Sequence, residues 1–143
     1  AIGVSNFTNA QLRQAIDTVG AAEIATQQVE LHPFLQNRTV IEFARSQGIH
    51  ITAYMPLAYG KVMADPVIAA IAEKHGVTPA QVALSWSLQQ GFAVIPSSTK
   101  RANLEANLHF RRITLSPDEM AQMATLERGE RLANPDGLAP QWD

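Results

Sequence analysis

The chain has 143 residues, 46% of them hydrophobic and 17% charged, with a formal net charge of −2. That size and balance suit one globular domain with a real core, and they offer no bulk attraction to nucleic acid or to an anionic membrane. With no cysteine there are no disulfides or thiolate metal sites, and with neither a basic-then-apolar leader nor an apolar run of ~20 residues, a soluble, cytoplasmic protein is expected.

Strand-like and helix-like segments alternate along the chain. AIGVSN (1–6) reads as a buried strand ending in the polar pair Ser5-Asn6. In TNAQLRQAIDTVG (8–20), Thr8 and Gln11 have the spacing of a capping box, and Leu12, Ala15, Ile16 and Val19 form an apolar stripe. ATQQVELH (25–32) is the second strand, followed by a helix over 37–48 with Asn37 as its cap and Gly48 as its stop. IHITAYMP (49–56) is a strand closed by Pro56. Two helices follow, 65–76 with Pro66 at the first helical position and 78–91 with Thr78, Pro79 and Gln81 marking its start. FAVIPS (92–97) is the fourth strand, and helices are expected over 101–110 and 116–129. The tail ERLANPDGLAPQWD reads as irregular.

Strands separated by helices pair in parallel, with the helices covering the sheet. Four such units leave two architectures open: a thin doubly wound sheet, or half of an eight-unit barrel. In either one the two outer strands present apolar, unpaired edges.

Chemistry in such sheets gathers at the carboxyl ends of the strands. Alternation places Gln28 and Glu30 on one face of the second strand, with Val29 and Leu31 on the other. Thr52 and Tyr54 share a face of the third. In a barrel, Ser5, Gln28 and Tyr54 fall near one mouth, where hydroxyl and amide groups suit a small planar amide and Tyr54 offers a ring for stacking. The alternative is a satisfied polar network of Gln28 and Glu30 within the barrel.

The fourth strand runs into PSSTKR (96–101), a hydroxyl-and-cation cluster opening a helix, which suits an anion. Between residues 97 and 112, Lys100, Arg101, Arg111 and Arg112 face only Glu105. The competing reading is an ordinary hydroxyl cap with solvated cations. The four histidines (32, 50, 75 and 109) show no metal-ligand spacing with one another. His32 reads as a turn residue or an acid–base group, and His75 suits the dipole at a helix C-terminus. No Gly-x-Ser-x-Gly elbow and no glycine-rich phosphate loop are present.

Taken together, GVSNF (3–7), QVELHP (28–33), AYMPLAYGK (53–61) and VIPSSTKRANLEANL (94–108) resemble the second half of an aldo-keto reductase. The resemblance is to the bacterial type that reduces diketo sugar acids, and it runs collinearly to the end at GLAPQWD. It implies the last four β/α units of a (β/α)8 TIM barrel over residues 1–143, units five to eight plus the C-terminal tail. It also implies reduction of aldehydes and ketones by hydride transfer from NADPH. By the same resemblance Ser5, Asn6 and Gln28 bond the nicotinamide carboxamide and Tyr54 stacks on its ring. Leu57, Tyr59 and Lys61 lie along the pyrophosphate. Ser98, Thr99 and Lys100 meet the 2′-phosphate, Asn103 and Asn107 lie near the adenosine, and Trp142 lines the substrate pocket.

Two departures from the family pattern concern the cofactor. Ser97 and Asn103 stand where many members carry Lys and Arg, which weakens the implied grip on the 2′-phosphate, with Lys100 and Arg101 as possible compensation. Met55 replaces the Ser that commonly follows the stacking Tyr. The family's catalytic Asp, Tyr, Lys and His belong to the first four units, so no residue of this chain is assigned a catalytic role, and the chain alone is expected to be inactive.

The implied partners are a small carbonyl substrate and a complementing N-terminal half, with no metal, nucleic acid or membrane. The alternative is a self-associating half-barrel, two copies burying their edges and retaining some dinucleotide affinity. An unrelated doubly wound phosphate-binding protein is the third reading.

Overall fold

The computed structural model describes residues 1–110 and 112–143; Arg111 of the basic cluster lies outside the described residues. Four strands, β1 (Ile2–Ser5), β2 (Ile24–Glu30), β3 (His50–Tyr54) and β4 (Ala93–Ile95), form one parallel sheet in chain order. Among the described residues six α-helices connect and flank them: α1 (Asn9–Val19), α2 (Arg38–Ser46), α3 (Pro66–His75), α4 (Pro79–Gln89), α5 (Arg101–Leu108) and α6 (Pro117–Ala124). A 3₁₀ segment, Ala58–Ala64, lies between β3 and α3. The strand order never reverses, so there is no topological switch point and the doubly wound alternative fails.

Helix starts follow the local chemistry. Thr8 and Gln11, Thr78 and Gln81, and Ser116 and Glu119 each close a reciprocal capping box, and Asp65 caps α3 ahead of Pro66. Asn37 departs from expectation. It takes a left-handed conformation (φ 44°), and its side-chain amide donates to the Glu30 carbonyl at 2.7 Å instead of capping α2. Asn tolerates that conformation better than most residues, and here the side chain ties the turn back to β2. The last helix is also shorter than the expected 116–129. It ends at Ala124, and the amides of Arg128 and Glu130 both turn to the Phe34 carbonyl.

The two faces of the sheet differ. On one, Val29, Ile51 and Ala53 are buried with Leu12, Val40, Ala44, Val82 and Trp86 of the helices in a single core. The other face carries the cross-strand rows Ser5–Gln28–Thr52–Ala93 and Glu30–Tyr54–Ile95. Ser5, Ala93 and Ile95 are exposed there, and Gln28, Thr52 and Tyr54 are half-buried. Helices thus cover one side of the sheet only. The polar–apolar alternation of β2 is what separates the faces, with one exception. Gln27 sits fully buried on the helix side, where its amide donates to the Phe7 carbonyl (2.9 Å) and accepts from the Phe7 amide (3.2 Å). Both polar ends are satisfied, so the burial does not leave an unpaired amide in the core.

Candidate functional site

At the carboxyl ends of β1–β3 four expected residues interlock. Asn6 is left-handed (φ 58°), donates its amide to the Gln28 carbonyl (2.9 Å), and accepts the Tyr54 hydroxyl on Oδ1 (3.0 Å). Ser5 Oγ donates to the same Gln28 carbonyl at 3.1 Å. Burial first, and then the nearby Glu30 carboxylate, push the Tyr54 phenol up from its ordinary value. Tyr54 is thereby kept protonated, a donor to Asn6 with its ring fixed at the mouth.

Glu30, read from the sequence as part of a polar network, does more than satisfy its neighbours. Its carboxylate is fully buried and accepts from His32 Nε2 (2.9 Å), the Leu132 amide (2.7 Å) and the Ala133 amide (2.8 Å). Burial by itself would raise its pKa. The His32 bond and the two amides overcome that and hold the carboxyl below its ordinary range. The tail, about a hundred residues away in sequence, is thus tied to the sheet mouth by a buried anion. His32 makes the expected turn, pairing its backbone with Leu35, while its ring serves Glu30.

A cavity of about 600 Å³ opens beside this cluster, between the segment after β3 and the start of α5. Leu57, Tyr59, Ser98, Thr99, Asn103 and Asn107 all line it, together with Met55 and Ser97, the two family-departing positions not already in that group. Ser98 Oγ accepts from the Lys100 amide (3.1 Å) and from Asn103 Nδ2 (3.2 Å), which organises the turn into α5. No side chain caps α5 itself, so its N-terminus faces the cavity rim with its dipole unmatched. Arg101 is committed to an exposed i,i+4 pair with Glu105.

Of the residues expected to meet the cofactor phosphates, Lys61 and Lys100 do not line this cavity. Lys100 follows the lining residue Thr99, and Lys61 pairs with Glu130 of the tail, although its neighbours Tyr59 and Gly60 are on the cavity wall. Glu130 also accepts from Arg128 (2.5 Å), and Lys61 first, then Arg128, holds its carboxyl below the ordinary range. Trp142 lines a second cavity, of about 630 Å³, shared by Leu35, Asn37 and Arg38 with the tail residues Arg131 and Asn134. The Arg131 guanidinium lies over its indole at 5.0 Å, and the Asn9 amide donates to Asp143 (2.6 Å).

Sequence reasoning missed the anchoring roles of Gln27, Arg128 and Glu130. It also passed over Glu119, nearly buried, which bonds Lys74 (2.7 Å) and His75 (3.0 Å) and so docks α6 on α3. For Glu119 a signal existed, since it stands three residues after the capping Ser116. The others had none. Among the described residues no group of three or more His, Asp or Glu side chains is placed to hold a metal, and no helix is long and apolar enough to cross a membrane.

A parallel sheet with polar groups at its carboxyl ends, helices on one side and a cavity beside a helix N-terminus has the arrangement of part of a β/α barrel. The model of the aldo/keto reductase family matches residues 1–128, and the chain belongs to that family. It is 61% identical to methylglyoxal reductase DkgB of Yersinia pestis over 142 residues, 99% of this chain and 53% of the relative. Identity to methylglyoxal reductase DkgB of Escherichia coli O157:H7 is 54% over the same share of each chain. A solved chain assigned as a 2,5-diketo-D-gluconic acid reductase B superposes with a TM-score of 0.90 at 42% identity, covering 99% of this chain and 51% of that one. The chain therefore spans about half the length of the relatives it matches, and its four-stranded sheet corresponds to about half of such a barrel.

Proposed function

We propose that this chain carries the dinucleotide-binding half of an NADPH-dependent carbonyl reductase acting on small dicarbonyl or keto-acid substrates. The observation that carries the reading is the convergence of Leu57, Tyr59, Ser98, Thr99, Asn103 and Asn107 on one cavity, next to the Ser5–Asn6–Tyr54 cluster. The names of the relatives support the substrate class. The donor set fits the group: hydroxyls, amides and an uncapped helix start for phosphate oxygens, and a fixed aromatic ring with an amide-bonding neighbour for a planar carboxamide. When bound, the dinucleotide supplies the hydride that reduces a carbonyl carbon.

In this assignment Asn6 and Gln28 orient the carboxamide and Tyr54 presents its ring face. Ser98, Thr99 and Lys100 hold the 2′-phosphate end, and Trp142 shapes the substrate side. Carbonyl reduction also needs a proton donor at the carbonyl oxygen. Tyr54 is occupied with Asn6, so in this reading the proton donor is supplied by barrel units outside these 143 residues. The exposed face of the sheet and the single-neighbour strands β1 and β4 are the surfaces those units cover; a second copy of this chain is the alternative occupant.

Titration of the chain with NADPH, followed by tryptophan fluorescence and melting temperature, tests the binding reading. A saturable response stronger than that to NADH is expected, and no response to either cofactor refutes it. Steady NADPH oxidation with methylglyoxal by this chain alone would refute the assignment of the proton donor elsewhere. Light scattering separates a monomer from the self-associated alternative.

A further inference from the structure

The segment from Met55 to Lys61 is strained and tethered at one end. Met55, Ala58 and Tyr59 all have positive φ (52°, 49° and 52°) without being glycine, a conformation that side chains strain against. Buried Ala58 pins its middle to the core, and buried Val62 pins the residue just after it. Its only cation, Lys61, is half exposed and is engaged by Glu130, whose side chain is mostly buried in the tail. Glu130 is itself held in place: its amide bonds the Phe34 carbonyl (3.0 Å), and its second carboxylate oxygen takes Arg128, whose guanidinium lies 4.1 Å over the Phe34 ring. The anion is therefore fixed and the cation is on the flexible stem, so Lys61 is the member free to change partners.

We propose that Glu130 is an internal competitor for Lys61, so that an anionic ligand entering the cavity beside Tyr59 and Gly60 must take the ammonium from the tail. This inference rests on the dinucleotide reading above and adds a residue that tunes it. Glu130 touches no ligand in this scheme. It is a positioning residue that withholds one phosphate-binding cation, and it links the first cavity to the tail that walls the second. By linkage, whatever displaces the tail from Lys61 strengthens binding in the first cavity to the same degree that binding there loosens the Lys61–Glu130 pair.

Calorimetric titration of NADPH into four forms of the 143-residue chain tests this: the parent, Glu130→Gln, Lys61→Met and the double variant. A partly exposed ion pair is a modest competitor, so Glu130→Gln is expected to tighten NADPH binding by about threefold. Lys61→Met is expected to weaken it, and in the Lys61→Met background Glu130→Gln is expected to have no effect. Binding by the parent that Glu130→Gln does not improve overturns the competition and leaves the dinucleotide reading standing. So does an improvement that persists without Lys61, since general charge removal then explains it. If no form binds NADPH, the dinucleotide reading fails and the competition with it.

Discussion

Replacing Glu119 by Gln removes one charge from a nearly buried position while keeping a residue that can complete the Ser116 capping box. In the folded chain the Lys74 ammonium above all, then the Ser116 amide and the His75 ring, bring the Glu119 carboxyl down from 4.5 to about 2. A pKa lowered in the folded state contributes stability in full above its unfolded value and loses it as pH falls toward the folded value. The window is therefore about pH 4.5 down to about pH 2. At ~1.4 kcal/mol per unit of pKa the shift corresponds to roughly 3.5 kcal/mol at most. Lys74 is 68% exposed, so solvent screens its share, and about 2 kcal/mol is the working figure. With an unfolding entropy of roughly 2 cal/mol/K per residue, that loss lowers the melting temperature by about 7 °C for a chain of this length. Urea unfolding of both forms from pH 7 to pH 2.5 is the assay. At pH 7 the variant should be less stable by about 2 kcal/mol, and the two curves should converge as the parent's carboxylate is protonated. Parallel curves across that range would refute the claim that the Glu119 charge docks α6 on α3.

Two further substitutions probe the mouth. Glu30→Ala leaves the Leu132 and Ala133 amides and His32 without their acceptor, so a loss of about 3 kcal/mol and rapid proteolytic cleavage within 127–143 are expected; a tail as resistant as the parent's would contradict the anchor. Tyr54→Phe keeps the ring and removes one hydrogen bond to Asn6, at a cost of about 1 kcal/mol in urea unfolding. Ultraviolet titration of the parent should show one phenol ionising above the ordinary tyrosine range, and Tyr54→Phe should abolish that component. Its persistence in the variant would place the raised phenol elsewhere.

Much of this molecule is legible without coordinates, and the reason is range. Caps such as Thr8–Gln11 and Thr78–Gln81 act over three residues, and the faces of a strand alternate residue by residue, so both are written in consecutive letters. The same locality identifies the motifs along the strands, where Gln28 lies within an expected strand, Ser5 and Tyr54 near the ends of theirs, and Ser98 just beyond one. It fails at Asn37, whose side chain answers to the Glu30 carbonyl and not to its own helix, and at the end of α6, beyond which the Arg128 and Glu130 amides turn to the Phe34 carbonyl.

What the tertiary structure alone decides is the pairing of distant groups. Gln27 closes on Phe7 across 20 residues, Lys61 on Glu130 across 69, and Glu30 on Ala133 across 103. No local pattern marks these pairs. Gln27, Glu30, Lys61 and Glu130 each read alone as ordinary polar residues, and their partners are set only by where the fold brings the chain together. By itself the sequence determined the succession of strands and helices, the sheet face that bears polar groups, and the family motifs. The docking of the tail on buried Glu30, the separation of two cavities, and the commitment of Lys61 to Glu130 required the fold, because these contacts join groups that only the packed core brings together and, at Glu30, desolvates.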